Sequence, residues 1–379
     1  MHDSEVCKTL ADLIRINSIN PAFRDGVTER TITDYIEGFF QRRGIETFRQ
    51  QVALGRDNLV ARIRGRTNTR RLLLDAHVDT ASVDGMTIEP FDAKIAEGRM
   101  YGRGSCDDKG PLAAMMHAMA EIASQASPPD CEVWMLASVD EEYGFNGIKR
   151  FVEEFTADAA IVAEATQLRQ VTAAKGCIFG SFVVDGRAAH GSVPQLGVNA
   201  INATAKIILA IAKDNQRLAD SPHPLLGAGT CNVGVVAGGV QANIVAEQCR
   251  VEFDRRLVPG ETADELLRCY NRLAQESQGL TSGLTIRFEP PRLSLVPWET
   301  PVSAPLVVAA TQALKQLGLN AQPLGVPYCS HANVLAAGGI PSIILGPGSI
   351  EQAHAAVEFV DCQQLEQSVA IYREIIRNF

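Results

Sequence analysis

Short apolar runs alternate with amphipathic stretches along the first half of the chain. "NLVARIRG" (58–65), "RRLLLDAH" (70–77), "CEVWMLASVDEE" (131–142) and "AAIVAEAT" (159–166) have the length and apolar density of buried strands. Between and around them, "RTITDYIEGFFQRRG" (30–44) and "GPLAAMMHAMAEIASQA" (110–126) carry the helical period, the second with Pro111 in its first turn, where proline fits. Strands alternating with helices predict an α/β sheet covered on both faces.

The order changes after Gly176. "GSFVVDGRAAHG" (180–191), "CNVGVVAGG" (231–239), "NIVAEQCRVEFDRRL" (243–257) and "LTIRFEP" (284–290) read as strands, and "NAINATAKIILAIAKD" (199–214) and "ADELLRCYNRLAQES" (263–277) as helices. The resulting β-α-β-β-α-β order is that of a split, ferredoxin-like α+β unit. The α/β pattern then resumes with a helix at 303–318, a buried strand in "IPSIILGPG" (340–348) and a closing helix at 363–379. The expected fold is therefore a discontinuous mixed-sheet α/β domain, residues 1–176 and 290–379, interrupted by an inserted α+β domain at 177–289.

A chain of 379 residues suits two domains, and a net charge of −9 argues against nonspecific binding to nucleic acid. Nine singly spaced cysteines, an odd number with no CxxC pair, point to free thiols in a reducing compartment. The N-terminal stretch is charged and amphipathic, and no run is long enough to span a membrane. The expected location is cytoplasmic.

Metal-type ligands follow the apolar runs. "LLLDAHVD" supplies His77 and Asp79, "VWMLASVDEE" supplies Asp140, Glu141 and Glu142, "AIVAE" supplies Glu164, and "SIILGPGSIEQAH" supplies His354. "YGRGSCDDKG" adds Asp107 and Asp108 in a glycine-rich loop before a helix. Each motif alone is an ordinary polar loop. Together they recur at separate strand ends, and open α/β sheets bind ligands along the carboxyl ends of their strands. Carboxylates and imidazoles without thiolate suit zinc, cobalt or manganese. Asp79 is placed to hold the ring of His77, since a ligating imidazole usually donates its second nitrogen to an oxygen. His2, His117 and His223 stand outside these motifs and are read as ordinary surface or packed histidines.

The joint set "DAHVDT", "YGRGSCDDKGP", "SVDEEYG", "AEATQLRQVTAAKG" and "ILGPGSIEQAH" resembles the M20 family of metallopeptidases over nearly the whole chain. Within it the similarity is greatest to acetylornithine deacetylases and succinyl-diaminopimelate desuccinylases. The resemblance implies a zinc-peptidase-like catalytic domain holding two divalent ions, zinc or else cobalt or manganese, and an insert acting as lid and homodimerisation domain. His77, Asp107, Glu142, Glu164 and His354 would be metal ligands, with Asp107 bridging and joined to Asp108 by a cis peptide. Asp79 would orient His77, and Glu141 would be the general base. His190 of "GRAAHGSVP" would reach into a partner's site to stabilise the oxyanion. Arg256 of "EFDRRLVPGE" and Asn243 of "QANIVAE" would hold the substrate carboxylate or its surroundings.

Two departures bear on this reading. His331 in "CSHAN" stands where many members carry an acid, and "HAAVEF" lacks the acidic pair common after the last histidine in the deacetylases. The implied activity is hydrolysis of the amide of an N-acyl amino acid. The alternatives are desuccinylation, a dipeptidase or aminopeptidase on the same site, and a noncatalytic binding protein that keeps the fold.

Overall fold

The computed structural model describes residues 4–24, 26–67, 69–279 and 282–379, so His2 lies outside the described residues. The chain divides into two compact units, one of Met1–Thr172, Thr300–Leu324 and Ser330–Phe379, the other of Ala173–Glu299 and Gly325–Cys329.

The first unit is an α/β domain. Its sheet runs in the order Glu46–Ala53, Arg56–Ile63, Glu132–Ser138, Arg71–His77, Ala159–Val162, Ser342–Ile344. The first three strands pair antiparallel, and Glu132–Ser138 through Ser342–Ile344 are mutually parallel, so the sheet is mixed. Arg71–His77 lies at the centre and is buried from Leu72 to His77. That two-sided burial explains its continuous apolar run, which an alternating strand would not show. The helix Lys109–Ala123 is buried on nearly every side, consistent with a sequence apolar all round. Leu112, Met116 and Met119 share one core with Leu365, Tyr372 and Ile376 of the closing helix Cys362–Asn378 and with Leu10 and Ile14 of the first helix, Glu5–Arg15.

The second unit is the expected β-α-β-β-α-β fold. Its four strands lie in the order Thr230–Gly238, Gln248–Leu257, Gly176–Asp185, Thr285–Leu295, all antiparallel. The helices Ala200–Ala219 and Ala263–Gly279 pack against Phe182, Val184, Val251 and Phe253. This unit extends beyond 177–289, since its outer strand Thr285–Leu295 runs past residue 289 and the compact unit takes in Ala173–Glu299 and Gly325–Cys329.

Candidate metal centre

The parallel strands deliver the first ligand-type residues to one rim of the first unit. His77 ends its strand opposite Ser138. Beyond Ser138 the chain turns at Asp140, whose φ of 70° is left-handed, and Glu141 and Glu142 follow. Glu164 stands just past the end of Ala159–Val162. Asp107 and Asp108 lead into the helix Lys109–Ala123 and are joined by a cis peptide. His354 is not at a strand end. It follows the 3-10 turn Ile350–Gln352, well past Ser342–Ile344, and has a φ of 58°.

Asp107 sits between the two histidines. Its Oδ1 is 3.0 Å from His77 Nε2, and its Oδ2 is 3.4 Å from His354 Nε2. His354 Nε2 is also 2.8 Å from Glu142 Oε2. One ligand atom from each of Asp107, Glu142 and His354 falls within 4.8 Å of the others. Glu164 is buried beside them, and no hydrogen bond engages its carboxylate among the described residues.

These carboxylates crowd one another. Loss of water holds Glu141 and Glu164 well above the usual carboxylate range, and each is pushed further by its acidic neighbours. Glu142 is raised in the same way, by burial and then by Asp107. Burial would raise Asp107 too, but His354 and His77 hold it below its ordinary value. His354 is correspondingly raised to about 10 by Asp107 and Glu142. The cluster thus attracts positive charge. Glu142 Oε1 and Asp108 Oδ1 are buried without a hydrogen-bond partner among the described residues. A donor set of carboxylates and imidazoles with buried oxygens left over fits divalent cations.

The surroundings fix these groups. His77 Nδ1 bonds the backbone oxygen of Asp79 at 2.9 Å, whereas the Asp79 carboxylate is 3.7 Å away. The expected orienting contact is thus made mainly by the Asp79 peptide. The Asp79 carboxylate instead accepts the N–H groups of Glu141 and Glu142, at 3.0 and 3.1 Å. A residue that the motifs did not single out, Glu358, organises the loop before Asp107. Its buried carboxylate accepts from the backbone of Gly104, Cys106 and Asp107 and from Arg103. The one sequence cue was an acid shortly after His354.

His331 is buried behind His77, their ring centroids 6.4 Å apart. Its Nδ1 lies 2.8 Å from Asp75 Oδ2, and Ser138 Oγ donates to Asp75 Oδ1 at 3.0 Å. Asp75 is fully buried. Among the described residues, removing the imidazole leaves that carboxylate with the serine hydroxyl alone. His331→Leu is therefore expected to cost about 3 kcal/mol of stability, the order found when a buried charge loses its partner. Urea unfolding measures it, and a loss below about 0.5 kcal/mol, the usual range of surface substitutions, would contradict it. His117 is half-buried, 2.8 Å from Thr9 Oγ1 and pushed down to about 4 by burial, and His223 faces Glu299 at 3.3 Å.

The second unit brings two of its expected residues together. Gly191 N–H donates to Asn243 O at 2.7 Å, and His190 bridges to Ile244, so His190 and Asn243 are exposed on adjoining segments. The ring of His190 is held by Ser192 Oγ at 2.8 Å. Arg256 is half-buried on the strand Gln248–Leu257, with its Nε and Nη2 on Asp254 Oδ2 at 3.1 and 2.9 Å.

The sequence pattern of "Peptidase family M20/M25/M40" matches residues 73–378. Acetylornithine deacetylase of Proteus mirabilis (strain HI4320) is 32% identical over 338 residues, 86% of this chain and 83% of that protein. The acetylornithine deacetylase of Edwardsiella ictaluri (strain 93-146) is 29% identical over 96% of this chain and 94% of its own. Among solved structures, a tripeptidase of Staphylococcus aureus superposes with a TM-score of 0.80 at 25% identity, over 98% of this chain and 97% of that one. A dinuclear metal-binding M20 peptidase of Bacillus subtilis shares the fold, with a TM-score of 0.73 at 15% identity, over 98% of this chain and 96% of that one.

Proposed function

This chain belongs to peptidase family M20/M25/M40 and is a hydrolase of amide bonds; we propose that it removes the acyl group of an N-acyl amino acid by a metal-dependent mechanism. The observation carrying this reading is Asp107, whose two oxygens face two histidines, one at a strand end and one in a loop past a 3-10 turn. His77, Asp107, Glu142, Glu164 and His354 would hold two divalent ions, most suitably zinc, with Asp107 between them. Such ions lower the pKa of water toward neutrality and polarise an amide carbonyl.

The chain's own groups account for the proton movements. Glu141 is half-buried, makes no hydrogen bond through its carboxylate among the described residues and is displaced upward by burial, which leaves its oxygens available to act as a general base. It takes the proton of the attacking water and returns it to the leaving nitrogen. Asp79 keeps Glu141 in place through its N–H. His190 donates to the developing oxyanion. Arg256 receives the substrate carboxylate as a bidentate fork, which requires it to turn from Asp254, and Asn243 lines the same end of the substrate.

The reading includes a two-fold dimer through the second unit, with His190 serving the neighbour's site. Thr230–Gly238 is an edge strand, and Val236 and Val240 on and beside it are 52% and 82% exposed. Leu209 of the adjoining helix Ala200–Ala219 is 69% exposed. An open edge beside apolar side chains is a surface that pairing with a second copy would cover. The nine cysteines are all free, which suits a reducing compartment such as the cytoplasm. No helix among the described residues is long and apolar enough to cross a membrane.

The test is a panel of N-acetyl and N-succinyl amino acids and dipeptides, each with zinc, cobalt or manganese. Hydrolysis of an acyl amino acid, lost on chelation and weakened in KM when its carboxylate is esterified, is the expected result. Cleavage of peptides alone would favour the second reading, a peptidase, which the likeness to the tripeptidase supports. No turnover of any member would overturn the catalytic assignment.

A further inference from the structure

The turn carrying Glu141 and Glu142 is tied to the beginning of the chain. Asn20 is fully buried, and its Nδ2 donates to Asp79 Oδ2 at 2.8 Å and to Asp140 Oδ1 at 3.0 Å. Its Oδ1 accepts from Ala22 N–H at 2.9 Å, so every polar atom of the side chain is committed. Its own N–H donates to Thr80 O at 2.9 Å, and Thr80 N–H donates to Ser18 O at 3.0 Å. Asn20 is thereby anchored to the segment that contains Asp79.

The two carboxylates it joins set the path of the turn from both sides. Asp79 accepts the N–H groups of Glu141 and Glu142. Asp140, in its left-handed conformation, accepts from Asn146 and from Arg56 Nη2 at 3.0 Å. Arg56 in turn is paired with the fully buried Glu29. Asp79 and Asp140 are each within 1% of full burial, so the two carboxyl groups that share Asn20 Nδ2 meet where water does not reach them. Among the described residues, the only side chain that bridges them directly is Asn20; Arg56 also donates to Asp140.

We propose that Asn20 is a positioning residue of the hydrolytic site. It locks Asp79 to Asp140, and so fixes the directions in which Glu141 and Glu142 leave the strand end. The inference rests on the proposed roles of Glu141 and Glu142, but the locking itself is readable from metal binding without turnover.

Asn20→Leu keeps the approximate size and removes both donors. The full-length protein is titrated with cobalt, followed by its visible absorption, and assayed on the best substrate of the panel. The variant is expected to bind its weaker cobalt equivalent at least about tenfold less tightly, with an altered spectrum. In the assay kcat falls by about 10- to 100-fold, the scale of a displacement near 1 Å, while KM stays within about twofold. A loss of packing alone would lower the melting temperature without moving the cobalt spectrum or separating kcat from KM. If Asn20→Leu does not fold, Asn20→Ser, too short to reach both carboxylates, carries the same readings. A folded variant with unchanged cobalt affinity and spectrum overturns the proposal. If the wild-type protein binds cobalt but hydrolyses nothing, the functional reading fails, and the titration still decides the role of Asn20.

Discussion

Glu141→Gln is expected to lower kcat by about 10²- to 10⁴-fold, the usual contribution of general acid–base catalysis, with metal content unchanged. The separation follows from where the two adjacent glutamates point. Glu142 Oε2 lies 2.8 Å from His354 Nε2, within the cluster that fits a cation, whereas among the described residues no ligand-type contact engages the Glu141 carboxylate. Both backbone N–H groups are held by Asp79, so exchanging a carboxylate for an amide at 141 leaves the turn intact. Glutamine retains the size and cannot take the proton. KM should stay close to wild type, since Glu141 is not assigned to substrate binding. Steady-state kinetics on the best panel substrate, with metal analysis of the same preparation, decides it. A wild-type kcat would remove Glu141 as the base even if the metal assignment stood.

The outline of the fold was legible because burial imposes periodicity. Arg71–His77 is buried on both faces and therefore shows an unbroken apolar run, and the helix Lys109–Ala123 is buried on nearly every side. The second unit's alternation is as clear, with Cys249, Val251, Phe253, Arg255 and Leu257 inward on one strand. Shorter elements left little trace. The helix His331–Ala337 is seven residues long, and its start is set by Ser330 capping rather than by a hydrophobic stripe. The pairing of Ala173 with Glu299, which joins the nine-stranded sheet at both ends of the insert, links segments far apart in the chain, for which one sequence has no local signal.

The candidate site was legible where a ligand-type residue sits at a strand end. His77, the Glu141–Glu142 pair and Glu164 stand there because the backbone leaves the sheet at that point. The supporting groups were not legible. Asn20, Arg56 and Glu358 lie far along the chain from the groups they hold and carry no motif of their own. In the sequence His331 stands out only as a departure, and its partner Asp75 lies two residues before His77 on the same face of the strand. Arg256 was identified by motif, but its pairing with Asp254 follows from the same two-residue spacing, which places both side chains on one face.

Asp107→Asn is expected to remove metal as well as activity. Each oxygen of Asp107 faces a different histidine, 3.0 Å from His77 and 3.4 Å from His354, so in the proposed reading the group would serve both metal positions at once. An amide offers one carbonyl oxygen and an NH2, and the NH2 cannot act as a ligand. The substitution also removes the one carboxylate that the two histidines hold below its ordinary range, and with it a charge that draws cations in. The loop should keep its shape, because Glu358 continues to accept from the N–H groups of Cys106 and residue 107. The expected content is at most one metal ion per chain, against the two proposed for the wild type. Metal ions contribute several kcal/mol to such reactions and each 1.4 kcal/mol is about tenfold, so kcat/KM should fall by about 10³-fold or more. Comparison with Glu141→Gln then sorts the two residues by metal content rather than by rate. Two tightly held equivalents in folded Asp107→Asn would show that Asp107 does not bridge, and the five-residue ligand set would have to be redrawn.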